Sequence, residues 1–258
     1  METSSQEVCV SRTDHVLHIR LNRPDKRNAV SGSMYDAMAD AILLAETDET
    51  IRAVLFSGAG EAFCAGNDLH DFLAHPPEGT EGPGFRFLRT VSGASKALVA
   101  AVQGNAVGIG TTLLLHCDLI IAGQSARFSL PFVRMGLVPE AASSLLLPRL
   151  VGYCRAAELL LLGETIDATT ALQWGLVNRV VEDPILMEVA QEFAKRVSMQ
   201  PPATLLITKT LLRDDRPGLA QRLEQEGRTF TARLKSPEAK EAVTAALEKR
   251  PPDFSRFT

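Results

Sequence analysis

Two glycine-rich turns could each present backbone NH groups to a bound ligand. The first follows an apolar run at residues 53–56 and leads into the stretch Ala65-Gly66-Asn67-Asp68-Leu69. The second, at residues 104–110, also follows an apolar run, at residues 98–102. A glycine flanked by small residues at a strand end lets the backbone approach a ligand closely. Two such turns could donate two NH groups to one carbonyl oxygen and stabilise negative charge there.

Neither turn has the pattern of a nucleotide-binding loop. Gly58-x-Gly60 and Gly108-x-Gly110 both lack the third glycine of the dinucleotide fingerprint, and neither precedes a ribose-binding acid at the expected spacing. A Rossmann fold is therefore not expected.

The hydrophobic pattern predicts an α/β protein whose elements position these turns. Strands are predicted at residues 7–13, 15–21, 53–56, 98–102 and 177–181, and helices at 31–47, 85–96, 111–116, 153–162, 165–174 and 185–197. Residues 70–84 contain many glycines and prolines without periodicity, which predicts a mobile loop. Beyond Pro201-Pro202 the pattern predicts three helices, at 204–213, 219–235 and 237–249. We therefore divide the chain into a core at residues 1–200 and a helical region at 201–258.

Composition indicates the class of protein and its compartment. The 258 residues carry 27 Lys and Arg against 31 Asp and Glu, a net charge of -4, which favours neither nucleic acid nor an anionic membrane as a partner. Cys9, Cys64, Cys117 and Cys154 are widely spaced in apolar contexts, which favours reduced thiols over a disulfide framework or a metal site. The sequence shows no signal peptide pattern and no apolar stretch of membrane-spanning length. We expect a cytoplasmic protein without a metal.

Five segments together resemble the crotonase (enoyl-CoA hydratase/isomerase) superfamily, in the order that the family has them. They are residues 23–29, 62–69, 104–110 followed by Cys117-Asp118, 136–152 and 248–254. The resemblance implies a spiral of repeated ββα units with a C-terminal helical trimerisation region, although the sequence itself shows no internal repeat. It also implies that the backbone NH groups of Asn67 and Ile109 form an oxyanion hole for the carbonyl oxygen of a coenzyme A thioester.

The reaction depends on the acid or base beside that thioester. Two NH donors make the C2 hydrogens of a thioester acidic, because the enolate charge develops where the donors lie. The hydratases of the family activate water with two glutamates, and the matching positions here are Thr112 and Phe132, which cannot do so at neutral pH. Classical hydration is therefore not expected.

Glu140 remains as a candidate base. It could simply begin a helix together with Pro139, since proline and an acid both suit a helix N-terminus. However, its Gly-Leu-x-x-Glu turn resembles the Δ3,Δ2-enoyl-CoA isomerase branch, in which one glutamate carries a proton from C2 to C4. An apolar pocket formed by Phe132, Leu137 and their neighbours would raise its pKa. The alternatives are a hydratase, another enolate reaction on a coenzyme A thioester, or a non-catalytic acyl-CoA scaffold.

The resemblance also implies which residues bind the substrate and how the chain assembles. Lys26, Arg27 and Ala29 would lie along the adenosine and pyrophosphate of coenzyme A, which enters as part of the substrate and not as a separate cofactor. Phe230 and Lys249 would complete the site of a neighbouring subunit in a homotrimer or a hexamer. The remaining implied substrate-binding positions are Ala65, Gly66, Asp68, Leu69, Gly108, Thr112 and Phe132.

Overall fold

The computed structural model of this chain describes residues 3–5, 7–75, 79–213 and 218–257. The strands in these residues are β1 (Thr3–Ser5), β2 (Val8–Thr13), β3 (Val16–Leu21), β4 (Ala53–Gly58), β5 (Ala97–Val102), β6 (Asn105–Val107), β7 (Leu119–Gly123), β8 (Arg127–Ser129), β9 (Thr165–Asp167) and β10 (Arg179–Val181). The α-helices are α1 (Gly32–Thr47), α2 (Leu69–Ala74), α3 (Pro83–Gly93), α4 (Ile109–Thr112), α5 (Ser143–Val151), α6 (Tyr153–Ala157), α7 (Ala168–Gln173), α8 (Leu186–Ser198), α9 (Pro202–Arg213), α10 (Leu219–Leu234) and α11 (Pro237–Leu247). The predicted α/β class is confirmed.

The main sheet has the strand order β1-β2-β3-β4-β5-β7-β10 in the described residues. The first two pairings are antiparallel and the remaining four are parallel. A smaller sheet, in the order β6-β8-β9, lies beyond the carboxyl end of β5. The second glycine-rich turn, residues 104–110, begins where the chain passes from the main sheet to the smaller one. Residues 103 and 104 join β5 to β6 there.

Both faces of the central strands are buried. In β4, Val54 and Phe56 belong to a large apolar core that also contains helix α1, whereas Leu55 belongs to a second core on the opposite face. Helix α8 covers that second face with Leu186 and two alanines. This two-sided burial explains why β4 and β5 read as continuous apolar runs, as parallel strands covered on both faces do.

The C-terminal helices pack on the core through buried polar contacts. Lys209 of α9 donates to the carbonyl oxygen of Lys96 and forms an ion pair with Asp118 at 2.6 Å. Arg213, one turn further, donates to the carbonyl oxygens of Ala94 and His116. The three predicted helices of this region are confirmed, and these contacts bind α9 to the core.

Two predicted elements differ in the structure. The predicted loop at residues 70–84 begins as helix α2, because Asp68 caps it by accepting from the NH groups of His70 and Asp71. Part of that prediction, residues 76–78, lies outside the described residues. The predicted helix at 165–174 is divided, because residues 165–167 pair with β8 as strand β9 and Asp167 then caps α7 at the NH of Thr170.

Candidate active site

The two glycine-rich turns lie directly against each other. Cys64 and Ala106 form a parallel β-bridge, in which the Cys64 NH donates to Asn105 and the Val107 NH donates to Cys64, both at 2.9 Å. Glycine is required at this contact, since a Cβ atom on Gly110 would lie 2.8 Å from the Cys64 carbonyl oxygen. The expectation that the two turns come together in space is confirmed.

The two predicted oxyanion donors have unused backbone NH groups. On either side of Asn67, the Val30 NH donates to Gly66 and the Asp68 NH donates to Val30, which leaves the Asn67 amide outside this pairing. Ile109 is the first residue of α4, so its NH has no acceptor four residues earlier in the helix. Within the described residues, neither NH has a hydrogen-bond acceptor, as an oxyanion hole requires.

A cavity beside the first turn brings Asn67, Glu140 and Phe230 together, although they are far apart in sequence. Aromatic and small residues from α1, α2 and α3 form most of its wall. The lining residues are Val30, Gly32, Tyr35, Asn67, Asp71, Phe72, His75, Gly82, Pro83, Gly84, Phe85, Leu88, Glu140 and Phe230. The predicted loop region at 70–84 therefore does border the pocket, although it begins as a helix.

Glu140 is a buried carboxylate on the wall of this cavity. Only 7% of the residue is exposed, and its Oε1 atom is buried without a hydrogen-bond partner among the described residues. Burial, and secondarily the charge of Glu226, raises the pKa of Glu140 to about 8. The predicted direction of the shift is confirmed, whereas the part played by Glu226 was missed.

Glu140 does not begin the following helix. Ala141 and Ala142 both adopt left-handed backbone conformations, with φ of 61° and 55°, and α5 starts only at Ser143. The reading of Pro139 and Glu140 as the first helical residues is therefore wrong, because this double turn directs the chain away from a helix at Glu140.

Tyr35 is a site residue that the sequence analysis missed. It lies on the buried face of α1 and its hydroxyl donates to Asn67 Oδ1 at 2.5 Å. Burial raises the pKa of the Tyr35 hydroxyl well above its ordinary value, and the nearby charge of Glu140 raises it further. The apolar periodicity of α1 marked this face as core, and a tyrosine there was the available signal, since buried tyrosine hydroxyls usually have a partner.

Thr112 and Phe132, at the positions of the hydratase glutamates, are both buried and neither lines the described cavity. Thr112 is in α4, and its hydroxyl has no hydrogen-bond partner in the described residues. Phe132 accepts a hydrogen bond from the Leu137 NH through its carbonyl group at 2.8 Å, which closes the loop that leads towards Glu140. The substrate-binding role that the resemblance implied for both residues stays a prediction.

The turn that contains Lys26, Arg27 and Ala29 lies beside the first glycine-rich turn. The Ala65 NH donates to the Arg27 carbonyl oxygen at 3.0 Å, and both cationic side chains are exposed. Asn28, which has a positive φ of 57°, fixes this turn by donating its side-chain amide to the Ala59 and Ala62 carbonyl oxygens.

The other predicted substrate-binding residues of the two turns have different structural roles. Asp68 forms an ion pair with Arg23 at 2.6 Å and caps α2, which begins at Leu69. Gly66 has a φ of 97°, and a Cβ there would lie 3.3 Å from the Val107 carbonyl oxygen. Gly108, with a φ of 54°, donates its NH to Ser129 and precedes α4. The two glycines shape the turns with their backbones, whereas Asp68 acts through its side chain.

Phe230 and Lys249 lie apart in this chain. Phe230 is buried against Phe72 in an edge-to-face contact and lines the cavity of its own chain. Its assignment to the site of a neighbouring subunit, which the resemblance implied, stays a prediction. Lys249 is exposed just after α11, with a φ of 56°.

The described residues contain no group of three or more His, Cys, Asp or Glu side chains arranged to hold a metal ion. In the same part of the chain, no helix combines the length and the apolar character needed to cross a membrane.

Comparison with known proteins identifies the family. The Enoyl-CoA hydratase/isomerase family model matches residues 11–256. The chain is 36% identical to 1,2-epoxyphenylacetyl-CoA isomerase of Escherichia coli K12, over 93% of this chain and 95% of the relative, and 35% identical to 2,3-dehydroadipyl-CoA hydratase of the same organism, over 96% and 98%. A solved enoyl-CoA hydratase/isomerase from Pseudoalteromonas atlantica T6c superimposes with a TM-score of 0.92 at 42% identity, covering 96% of this chain and all of that structure.

The match extends over nearly the whole chain in sequence and in structure. It confirms the fold class that the five sequence segments implied. This chain belongs to the enoyl-CoA hydratase/isomerase family of the crotonase superfamily, whose enzymes act on coenzyme A thioesters.

Proposed function

We propose that this chain is an enoyl-CoA isomerase that moves a double bond from C3 to C2 of an acyl-CoA thioester. The observation that carries the proposal is Glu140, a buried carboxylate on the cavity wall with an oxygen atom that has no hydrogen-bond partner in the described part of the chain. Its raised pKa, about 8, makes it a stronger base than an ordinary glutamate and an acid able to return the proton near neutral pH.

The proposed reaction uses Glu140 twice. The ionised carboxylate takes a proton from C2, and the electron pair of that C–H bond moves towards the thioester oxygen, giving a dienolate. The NH groups of Asn67 and Ile109 stabilise the charge on that oxygen. The protonated Glu140 then gives the proton to C4, while the C3=C4 bond is lost and a C2=C3 bond forms. The substrate has gained and lost one proton, so no water and no redox cofactor is consumed.

The other carboxylate on the cavity wall is less available. Asp71 accepts a hydrogen bond from the Gly32 NH at 2.7 Å and pairs with His75 at 3.2 Å. The residues at the hydratase positions, Thr112 and Phe132, supply no carboxylate. One free acid suits a proton shuttle better than activation of water, which in the family uses two glutamates.

We propose that coenzyme A lies along the turn of Lys26, Arg27 and Ala29, with its thioester between Ala65, Gly66 and Gly108. The exposed cations of this turn and its contact with Ala65 support that path. The exposed Lys249 is a further candidate for a phosphate contact. The acyl group would then enter the cavity formed by Tyr35, Phe72, Phe85 and Phe230. The substrate supplies the only coenzyme that the proposed step needs.

We also propose a homotrimer, or a hexamer of two trimers, in the cytoplasm. Helix α9 exposes a run of large apolar side chains, with Leu211 67% and Leu212 72% exposed, and Leu161 and Leu162 are also more than half exposed. Exposed apolar side chains in such number favour an interface between subunits. Light scattering coupled to size-exclusion chromatography measures the mass, and a 28 kDa species would contradict the trimer.

The reaction is tested with a 3-enoyl-CoA and a 2-enoyl-CoA of the same chain length. The wild type should convert the 3-enoyl-CoA to its conjugated isomer, and Glu140→Gln should lower kcat by roughly 10²- to 10⁴-fold. Glu241→Gln is the control, because Glu241 is equally buried, at 7% exposed, but lies outside the cavity lining. Hydration of the 2-enoyl-CoA that survives Glu140→Gln would support the hydratase, and tight binding without either reaction would support the scaffold.

A further inference from the structure

Glu226 is a second buried carboxylate close to Glu140, and it has no part in the proton transfer described above. It lies on α10, one turn before Phe230, with 6% of the residue exposed. Its Oε1 atom accepts from the Ser144 NH at 3.0 Å and from the Ser144 hydroxyl at 2.5 Å. Its Oε2 atom is buried without a hydrogen-bond partner in the described residues.

Glu226 caps the N-terminus of helix α5, which follows Glu140 and has no capping side chain of its own. The residue before α5 is Ala142, which has no side-chain oxygen to accept from the first NH groups of the helix. The Glu226 carboxylate takes that place from another helix, and Arg222 supports it by donating to the same Ser144 hydroxyl at 2.8 Å. A negative charge at this end of the nine-residue helix is also favourable.

The segment between Glu140 and α5 needs such support. Two consecutive alanines in the left-handed region are strained, and they persist only where their surroundings hold them. On one side of this segment, His116 Nε2 lies 2.9 Å from the Ala141 carbonyl oxygen. On the other side, Glu226 holds Ser144, and the Ser143 NH donates to the Glu140 carbonyl oxygen. The position of Glu140 therefore depends on α10.

We propose that Glu226 is a positioning residue for Glu140, which fixes the turn after Glu140 through Ser144 and keeps a negative charge beside the buried carboxylate. The proposal rests on the role of Glu140 as the base. It assigns to the C-terminal helical region a direct influence on the protonation of the site.

The charged and titratable groups around the two carboxylates favour ionisation of Glu226 before Glu140. Glu226 has the Ser144 donors and the Arg222 cation, which oppose the rise in its pKa that burial causes. Glu140 is faced by Tyr35 from α1, Cys64 from the first turn and Glu226 from α10, none of which supplies a positive charge. The two carboxylates are coupled, and the donors around Glu226 favour the loss of its proton before that of Glu140.

The test measures the titration of Glu140 without relying on turnover. Difference infrared spectroscopy as a function of pH follows the C=O band of the protonated carboxyl, and Glu140→Gln identifies the band that belongs to Glu140. Glu226→Gln keeps an oxygen to accept from Ser144 but removes the charge. Glu224→Gln, two residues away on the same helix, is the matched control, because Glu224 lies at the surface in ion pairs with Arg89 and Arg228.

Glu226→Gln should lower the titration midpoint of Glu140 by about half a pH unit or more, whereas Glu224→Gln should leave it unchanged. If the wild type isomerises 3-enoyl-CoA, the acidic limb of kcat/KM should move in the same direction. An unchanged midpoint in Glu226→Gln, or an equal shift in Glu224→Gln, would overturn the proposal. If the wild type does not isomerise 3-enoyl-CoA, the infrared midpoint still tests the role of Glu226. Failure of the proposed function and failure of the Glu226 proposal are therefore distinguishable.

A second variant covers the case in which Glu226→Gln does not fold. Arg222→Gln removes a cation that lowers the pKa of Glu226 and keeps both carboxylates, so the Glu140 midpoint should shift from the wild-type value. A midpoint that stays at the wild-type value would contradict the coupling. Glu226→Asp, which retains the charge, should restore a midpoint close to that of the wild type.

Discussion

Glu140 and Glu241 are glutamates with the same exposure, 7% of each residue, and opposite acidities. Burial raises the pKa of Glu140 to about 8, whereas hydrogen bonds from Arg250 and from the Asp253 NH lower the pKa of Glu241 to about 2. Glu241 also pairs with Arg256 at 2.6 Å. Low exposure therefore does not determine the charge of a carboxylate, and its hydrogen-bond donors decide the direction of the shift.

The two sites have different consequences for the protein. Around Glu241, three donors from residues 250–256 hold the C-terminal segment against α11, and the ionised form stabilises the fold. Around Glu140, one oxygen has no donor within the residues that the structure describes, so the ionised form is costly and strongly basic. A fold that tolerates this cost at one place, while compensating a similar group elsewhere, indicates where its chemistry occurs.

The largest expected effect comes from removing the uncompensated charge. Because the folded-state pKa of Glu140 lies above its ordinary value of 4.5, the native state holds the extra proton between pH 4.5 and about 8, and stability falls as pH rises through that window. Glu140→Gln abolishes this loss and should raise the free energy of unfolding at pH 9 by up to about 5 kcal/mol. Urea unfolding at equal protein concentration, at pH 5 and pH 9, measures the difference.

The difference between the variant and the wild type should be small at pH 5 and large at pH 9. A gain of the same size at both values would mean that Glu140 does not titrate in the folded protein within this range, and its contrast with Glu241 would disappear.

The converse change, Glu241→Gln, should have a smaller effect, since the displacement of its pKa from 4.5 to about 2 is smaller than that of Glu140. A lowered pKa stabilises the fold above pH 4.5, and this contribution is lost as pH falls towards 2. Glu241→Gln should therefore lower Tm at pH 6 and approach the wild type near pH 2.

Glu248→Gln provides the control for that experiment, since Glu248 also contacts Arg250, at 2.6 Å, but its side chain is 57% exposed. Its Tm should stay near that of the wild type, because exposed ion pairs contribute little. A constant Tm difference between Glu241→Gln and the wild type across this range would exclude a titrating Glu241.

Local sequence patterns predicted the two turns but not the group that helps to raise the pKa of Glu140. Gly66 and Gly108 mark the turns because only particular backbone conformations fit there, whereas the resemblance supplied Asn67 and Ile109 as the donors. The resemblance supplied Glu140, and its burial follows from its apolar neighbours. Glu226 lies more than eighty residues further along the chain, and its approach to Glu140 depends on how α10 packs, which helical periodicity alone does not specify.

The misread elements have a similar explanation. The many glycines and prolines of residues 70–84 concealed α2, a short helix whose capping residue, Asp68, was considered only as part of the glycine-rich turn. Residues 165–167 form a strand because β8 lies beside them, and their own sequence continues the helical pattern of α7. For β9, a contact with another segment overrides a local preference, whereas α2 depends on a local cap.

The smallest predicted effect separates orientation from charge at the site. Tyr35→Phe removes the hydroxyl that donates to Asn67 Oδ1 and should reduce stability by about 1 kcal/mol. The loss of this support should also lower kcat by roughly tenfold, since about 1.4 kcal/mol of transition-state stabilisation corresponds to that factor. The acidic limb of the pH profile should stay where it is, because burial and Glu226 set the pKa of Glu140 and the Tyr35 hydroxyl is neutral. A shift of that limb together with kcat would show that Tyr35 takes part in the titration of Glu140. The difference in pKa between Glu140 and Glu241 would then depend on Tyr35 as well as on burial and Glu226.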